Sequence, residues 1–520
     1  MLAPFALPLF VLLGPALASF REDCLALTPQ STVANSTGRE LAFVTSGTDL
    51  AFPEQDAACN RASQVVRADL CRVAMNLTTS ARSEVVTEVW LPEKWNGRLV
   101  TVAGGGSMAV RDLTAKGLMD KARLTMESQV FTTRIWPVGT NNGHAGTTGI
   151  QFLNNEDVVI DFSWRACVSP IHTPRWSKFP RADWVFRLHV GVVAGKQLLQ
   201  SMYKRPATGS YFLGCSLGGR QGIKAADMFP EDFDGVVAGA PAIDFNNLYS
   251  HRAGYLPQTG AADSKDFIAP AVWKTTIHSE VLRQCDAIDG AEDGIIEDPA
   301  LCNFDPGALL CRNNATADGT GCLSSKQVEI VRGIFAPTKD AQGNVFWPGM
   351  NPGSEINTAD GLYSGKPWAN SQNWFRYALE KDGVFAEQKN PGDIRTHPSD
   401  LSAFKNRGGK LLMYHGQQDH QITSFRTPMF YDRVSRGMGL GTAGMDHLPF
   451  YGTHNVLAAI VDWVEGGVAP DTITGTKFVN DTVALGVDFQ RRHCRYPRRN
   501  VFKGDGFDPK NADSWKCTCS

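Results

Sequence analysis

The sequence predicts an α/β fold interrupted by a long insertion, and three observations carry that prediction. Two apolar runs rich in β-branched residues and bounded by turn signals, Gly97–Ala103 and Lys410–Tyr414, read as buried strands. A third run, Ser210–Gly214, stops at a sharp turn and passes at once into a segment, ending near Phe229, whose later part has the apolar spacing of an amphipathic helix. Between residues 243 and 399 the texture turns rich in Asp, Gly, Asn and Pro and carries four cysteines, so that block reads as an inserted domain within a main domain of 19–242 and 400–520. Near the end, Asn455–Gly467 has helical period and a glycine stop, and an irregular, disulfide-rich tail is expected after it.

At 520 residues the chain exceeds what one compact core supports, which agrees with an insertion. A net charge of −2, with 20% charged and 42% hydrophobic residues, describes an ordered globular protein without the field that grips phosphate backbones, so nucleic acid is not an expected partner. Met1–Ala18 is a short apolar run ending in Ala16-Leu17-Ala18, the small-residue spacing of a signal-peptidase site. The expectation is therefore a secreted protein. That run is too short and proline-rich for a membrane span, and no membrane partner is expected. Twelve cysteines suit an oxidising compartment, and the local pairs Cys285 with Cys302, Cys311 with Cys322, and Cys494 with Cys517 or Cys519 are plausible staples. Glycosylation sequons begin at Asn35, Asn76, Asn314 and Asn480.

Gly214-Cys215-Ser216-Leu217-Gly218 fits the G-x-S-x-G elbow, in which a serine sits on a strained strand-to-helix turn and the small flanking residues let strand and helix approach. Ser216 is the candidate nucleophile. The helix start places the Leu217 N–H where an oxyanion forms, and a second donor is expected from the glycine-rich stretch 104–106 after an earlier strand, at Gly105. On this architecture the acid follows a later strand, and Asp419, just past Lys410–Tyr414, fits. His415 and His420 lie too close to it in sequence to approach Ser216 from a separate loop, and read as structural or pocket-lining.

Taken together, Val138–His144, Gly214–Gly222, Asp234–Ala242, Trp347–Glu355 and Asp462–Gly467 resemble segments of the tannase and feruloyl esterase family. The resemblance implies an α/β-hydrolase fold with an inserted lid domain over 243–399. It also implies a Cys-Ser, Asp, His-Cys constellation in which the two cysteines bridge. Cys215, Ser216 and Asp419 match its first two parts. The third is displaced: His447, in Gly444-Met445-Asp446-His447-Leu448, has the local spelling with leucine in place of cysteine, whereas His454 has the expected location just before the last helix. Both remain candidates for the base. His493-Cys494 spells the pair but falls beyond that helix. Segment 437–455 is shorter than the family pattern and Cys167–Leu188 looks inserted. Both are read as misassigned exon boundaries, which a transcript encoding the chain as written would contradict.

Asp286, Asp289 and Asp293 crowd one glycine-bent loop, and hard oxygen ligands suit Ca²⁺. The family resemblance implies a structural calcium site there, completed by the carbonyls of Ala291 and Ile295. The expected reaction is hydrolysis of phenolic acid esters, either feruloyl esters of plant polysaccharide or gallate esters of tannins. Rival readings are a lipase or peptidase on the same fold, and a phenolic-glycan-binding chain without turnover.

Overall fold

The computed structural model describes residues 19–53, 62–103, 136–144, 149–165, 190–312, 321–379, 390–440 and 456–519. Met1–Ala18, Asn314 and Cys167–Leu188 fall outside them, and so does 441–455, which makes up most of the shortened segment 437–455. An eight-stranded sheet organises the main domain: β1 (Ser36–Val44), β2 (Leu70–Ser80), β3 (Ser83–Pro92), β4 (Arg98–Ala103), β5 (Trp136–Thr140), β6 (Gly209–Cys215), β7 (Gly235–Gly239) and β8 (Lys410–Tyr414). The spatial order is β1-β2-β3-β5-β4-β6-β7-β8. The first four in that order pair antiparallel, and from β5 to β8 every pairing is parallel. This is the α/β-hydrolase architecture expected above.

Parallel strands are covered on both faces, which is why they read as continuous apolar runs rather than alternating ones. Every residue of β6 is buried. Phe212 faces a core with Ile223, Val236 and Met413, beneath the helix Leu217–Met228, while Tyr211 and Leu213 face the opposite core with Val237, Leu412 and Ile460 of the helix Val456–Gly466. That helix lies where its period and glycine stop predict. The helix after Ser216 departs from the amphipathic reading. Arg220, Gln221 and Lys224 on its polar side are buried as well, because the neighbouring segments supply internal partners. Arg220 donates to Thr396 Oγ1 at 3.1 Å, Gln221 to Asn142 Oδ1 at 3.2 Å, and Lys224 pairs with Asp393.

Among the described residues the inserted segment adds no strand to the sheet, and it builds its own core around Tyr255, Trp273, Ile277, Val281, Val331 and Tyr363. Its two ends lie side by side: Asp244 N–H donates to Thr396 O at 3.2 Å and Phe245 N–H to Arg395 O at 3.1 Å. The Asp244 carboxylate joins Arg395 to Arg426, both at 2.6 Å, fastening this stem to the helix Arg426–Gly437 of the main domain.

The tail is not irregular. Thr472–Phe478 pairs with Val487–Cys494, and Arg499–Phe502 with Trp515–Thr518, in two antiparallel hairpins. Their threonines, arginines and lysines alternate with few large apolar residues, so the strand period is present without the apolar contrast that reveals it. Among the described residues four disulfides are formed: Cys24–Cys71, Cys285–Cys302, Cys311–Cys322 and Cys494–Cys517. Among the described residues Cys215 and Cys519 are free, the first buried and the second exposed. No described helix is long and apolar enough to cross a membrane.

Candidate active site

Ser216 stands between β6 and the helix Leu217–Met228 with φ 57° and ψ −118°. A non-glycine residue at positive φ is strained, and it persists because its surroundings hold it. Ser216 N–H donates to Gly239 O at 2.8 Å, and its carbonyl accepts N–H groups from Ala242 at 2.9 Å and Arg220 at 3.0 Å. Both sides of the peptide are thereby pinned to β7 and to the helix. The flanking glycines have a measurable reason. A Cβ on Gly214 would come within 2.6 Å of the Gly218 carbonyl carbon, and one on Gly218 within 2.2 Å of the Ala103 oxygen. As the first residue of the helix, Leu217 has an N–H without an intrahelical acceptor, which suits it to an oxyanion. Gly105, its expected companion, lies outside the described residues.

Asp419 follows β8, two strands from β6 on the same carboxyl edge of the sheet. One carboxylate oxygen accepts Gln421 N–H at 2.8 Å and Ile422 N–H at 3.0 Å, while the other lies 3.2 Å from His415 Nε2. Burial raises the pKa of this carboxyl, but His415 and the two N–H groups more than offset it and hold it below the usual carboxylate range. It is therefore charged at neutral pH. His415 is buried between Asp419, Thr427 Oγ1 at 2.6 Å and Ile422 O at 3.0 Å, the structural role expected for it. The two candidate bases, His447 and His454, both lie outside the described residues. His493 stays discounted: it lies in the C-terminal hairpin with its Nδ1 3.3 Å from Glu297 of the inserted segment, and Cys494 is bonded to Cys517.

Two residues that sequence reasoning passed over support the site. The Tyr414 ring lies so close over Gly239 that a Cβ there would meet it at 2.2 Å, and its hydroxyl shares a hydrogen bond with the Cys215 thiol. Burial, followed by the Asp419 charge, pushes that thiol well above its ordinary range, so it stays protonated. Arg252 supports the Asp419 turn instead: it is buried there and donates to Gln421 O at 2.9 Å. Each is a single tyrosine or arginine in sequence, without a motif to mark it.

The acidic loop is built differently from a closed cage. Asp286 receives Gly294 N–H, Asp289 receives the N–H groups of Ala291 and Glu297, and Asp293 receives Ile295 N–H and pairs with Arg491 at 2.6 Å. No three His, Cys, Asp or Glu side chains converge among the described residues. The charge balance is nevertheless uneven. Asp286 and Asp289 face no cationic side chain among the described residues, and burial first, then Glu297 and Asp293, push the Asp289 carboxyl up to about 6. Carboxylate oxygens with uncompensated charge are the chemistry a hard cation prefers, but they do not converge on one point here.

A family model described as tannase and feruloyl esterase matches residues 70–390 and 392–518. A probable feruloyl esterase B-2 of Aspergillus flavus is 43% identical over 523 residues, covering 92% of this chain and 93% of that protein. The crystal structure of feruloyl esterase B from Aspergillus oryzae superposes with a TM-score of 0.84 at 35% identity, over 96% of this chain and 100% of that one. A tannin acyl hydrolase from Aspergillus niger, at 18% identity and a TM-score of 0.67 over 96% of this chain and 95% of that one, shares the fold. With a strained serine on a strand-to-helix elbow and these relatives over nearly its full length, the chain belongs to the tannase and feruloyl esterase family of carboxylic ester hydrolases.

Proposed function

We propose that the chain is a secreted serine esterase of phenolic acids, with Ser216 as nucleophile, Asp419 as the orienting acid and His447 or His454 as base. One observation carries the reading: Ser216 is held at positive φ at the carboxyl edge of the sheet, where the Asp419 carboxylate is also kept ionised. Ser216 Oγ attacks the ester carbonyl carbon while the histidine takes its proton, and Leu217 and Gly105 N–H groups receive the oxyanion. Collapse breaks the bond to the alcohol oxygen, which leaves with the proton from the imidazole. Water then attacks the acyl-serine, giving its proton to the imidazole, and the acid departs as Ser216 regains its hydrogen. His447→Ala and His454→Ala separate the candidates, since only loss of the true base abolishes turnover.

Feruloyl and galloyl esters are the substrate classes that the family description brings forward, with the 243–399 segment as the lid that chooses between them. Steady-state hydrolysis of methyl ferulate and methyl gallate tests this. Turnover of neither overturns the reading. The acidic loop is the proposed structural calcium site, with Asp286, Asp289, Asp293 and the carbonyls of Ala291 and Ile295 as ligands. Chelation should lower the melting temperature and added Ca²⁺ restore it, and a melting curve indifferent to both contradicts the site. Secretion is supported by the Met1–Ala18 run, by four disulfides, and by exposed sequon residues Asn35 and Asn480 at positive φ. A culture supernatant lacking the processed chain would refute it.

A further inference from the structure

The inserted segment, the Asp419 turn and the C-terminal hairpin together enclose a cavity of about 450 Å³, which the serine chemistry does not use. Its floor is one face of the hairpin. Residues two apart on a strand share a face, so Phe489 and Arg491 project together, and across the ladder they stand opposite Lys477 and Gly475. Gly475 contributes no side chain beside Arg491, which leaves the floor hollow. Arg491 is fixed from behind: its guanidinium stacks on Trp515 at 3.7 Å and pairs with Asp293 and Glu297. Arg491 and Glu297 thus neutralise each other, and the cavity is not built as a strong anion site.

The walls supply polar groups that can both give and accept hydrogen bonds. His278 borders the cavity with its Nδ1 engaged by Glu355 at 2.6 Å, so Nε2 is the ring's other bonding atom. Gln417 and Gln418 come from the turn that carries Asp419, and Gln418 Nε2 donates to Gly353 O at 3.1 Å across the opening. The half-buried ring of Phe489 offers an aromatic face, while the Thr476 hydroxyl points to the opposite face, where Gln490 donates to it at 3.1 Å. One aromatic platform among amide and imidazole groups matches a sugar ring, whose C–H face stacks and whose hydroxyls donate and accept. The volume lies within the roughly 300–1,000 Å³ of small-molecule sites.

We propose that this cavity is an accessory saccharide subsite, holding sugar units of the polysaccharide that bears the ester. The inference rests on the polysaccharide-ester reading above. Because Gln417 and Gln418 directly precede Asp419, sugar bound there also steadies the turn that positions the acid.

The test uses the full chain carrying Ser216→Ala, titrated calorimetrically with an unesterified arabinoxylan oligosaccharide. Saturable binding is expected, weakened about tenfold by adding Phe489→Ala, the scale of a lost aromatic contact. In the active enzyme, Phe489→Ala should lower the ratio of kcat/KM for a feruloylated oligosaccharide to kcat/KM for methyl ferulate by a similar factor. If Phe489→Ala does not fold, as judged by circular dichroism, Lys477→Ala at the cavity rim replaces it in both measurements. Absence of binding, or binding and rate ratio both indifferent to the substitution, overturns the subsite. Failure of the wild-type chain to hydrolyse either ester overturns the esterase reading instead, and the calorimetric result still decides this one.

Discussion

Gly218→Ala exposes how the elbow works. The added Cβ would lie 2.2 Å from the Ala103 carbonyl oxygen and 2.7 Å from its carbon, both backbone atoms of β4 that no rotamer change can move. Restoring ordinary contact requires the helix to retreat from β4 by about 1 Å, a misplacement of the size that costs a positioned active site on the order of 10²-fold in rate. Overpacking of this kind destabilises by about 1–3 kcal/mol. The expected result is thus a drop in melting temperature of a few degrees with a much larger loss of kcat on methyl ferulate. Gly466→Ala is the control, because a Cβ at that helix end meets nothing within 4 Å. A Gly218→Ala enzyme with wild-type melting and wild-type kcat would refute the close approach of helix and β4 on which the oxyanion geometry depends.

Asp419→Asn should reduce kcat by about 10³–10⁴-fold, the scale on which a misoriented histidine fails. Its stability effect should depend on pH: since the folded carboxyl sits below the unfolded value of ~4, its contribution is present above that value and disappears as pH falls through the folded one. A wild-type advantage in urea melts that is constant from neutral pH down through the acid range contradicts this. Arg491→Met removes the cation between Asp293 and Glu297 and should cost about 3–5 kcal/mol, read as a lower urea midpoint. An unchanged midpoint would show that those carboxylates have another counter-charge. Mass mapping after native iodoacetamide treatment should find Cys519 alkylated and Cys215 modified only after unfolding; labelling of Cys215 in the native protein contradicts its burial.

Legibility in the sequence followed the contrast between neighbouring residues. β4, β6 and β8 were readable because strands covered on both faces are apolar throughout, and the elbow because its glycines bracket the serine in one contiguous motif, even though Gly218 answers to Ala103 on distant β4. Local cysteine pairs were readable for the same reason. Cys24–Cys71, 47 residues apart, depends on where β2 lies in the folded sheet and had no local signal. The C-terminal hairpins were missed because Thr472–Phe478 and Val487–Cys494 bury mostly polar and charged side chains such as Arg491, whose partners are in the inserted segment. Arg220, Lys224 and Tyr414 were opaque for a related reason. A polar residue buried with a distant partner looks in sequence like one on the surface.

The central claim is that Ser216 is an activated nucleophile, and a fluorophosphonate probe tests it most directly, because phosphonylation needs both a base and an oxyanion hole. Intact mass and peptide mapping of the labelled chain should show one adduct, on Ser216, absent from Ser216→Ala and accompanied by loss of methyl ferulate hydrolysis. A wild-type chain that stays unlabelled, or an adduct that survives in Ser216→Ala, would contradict the account.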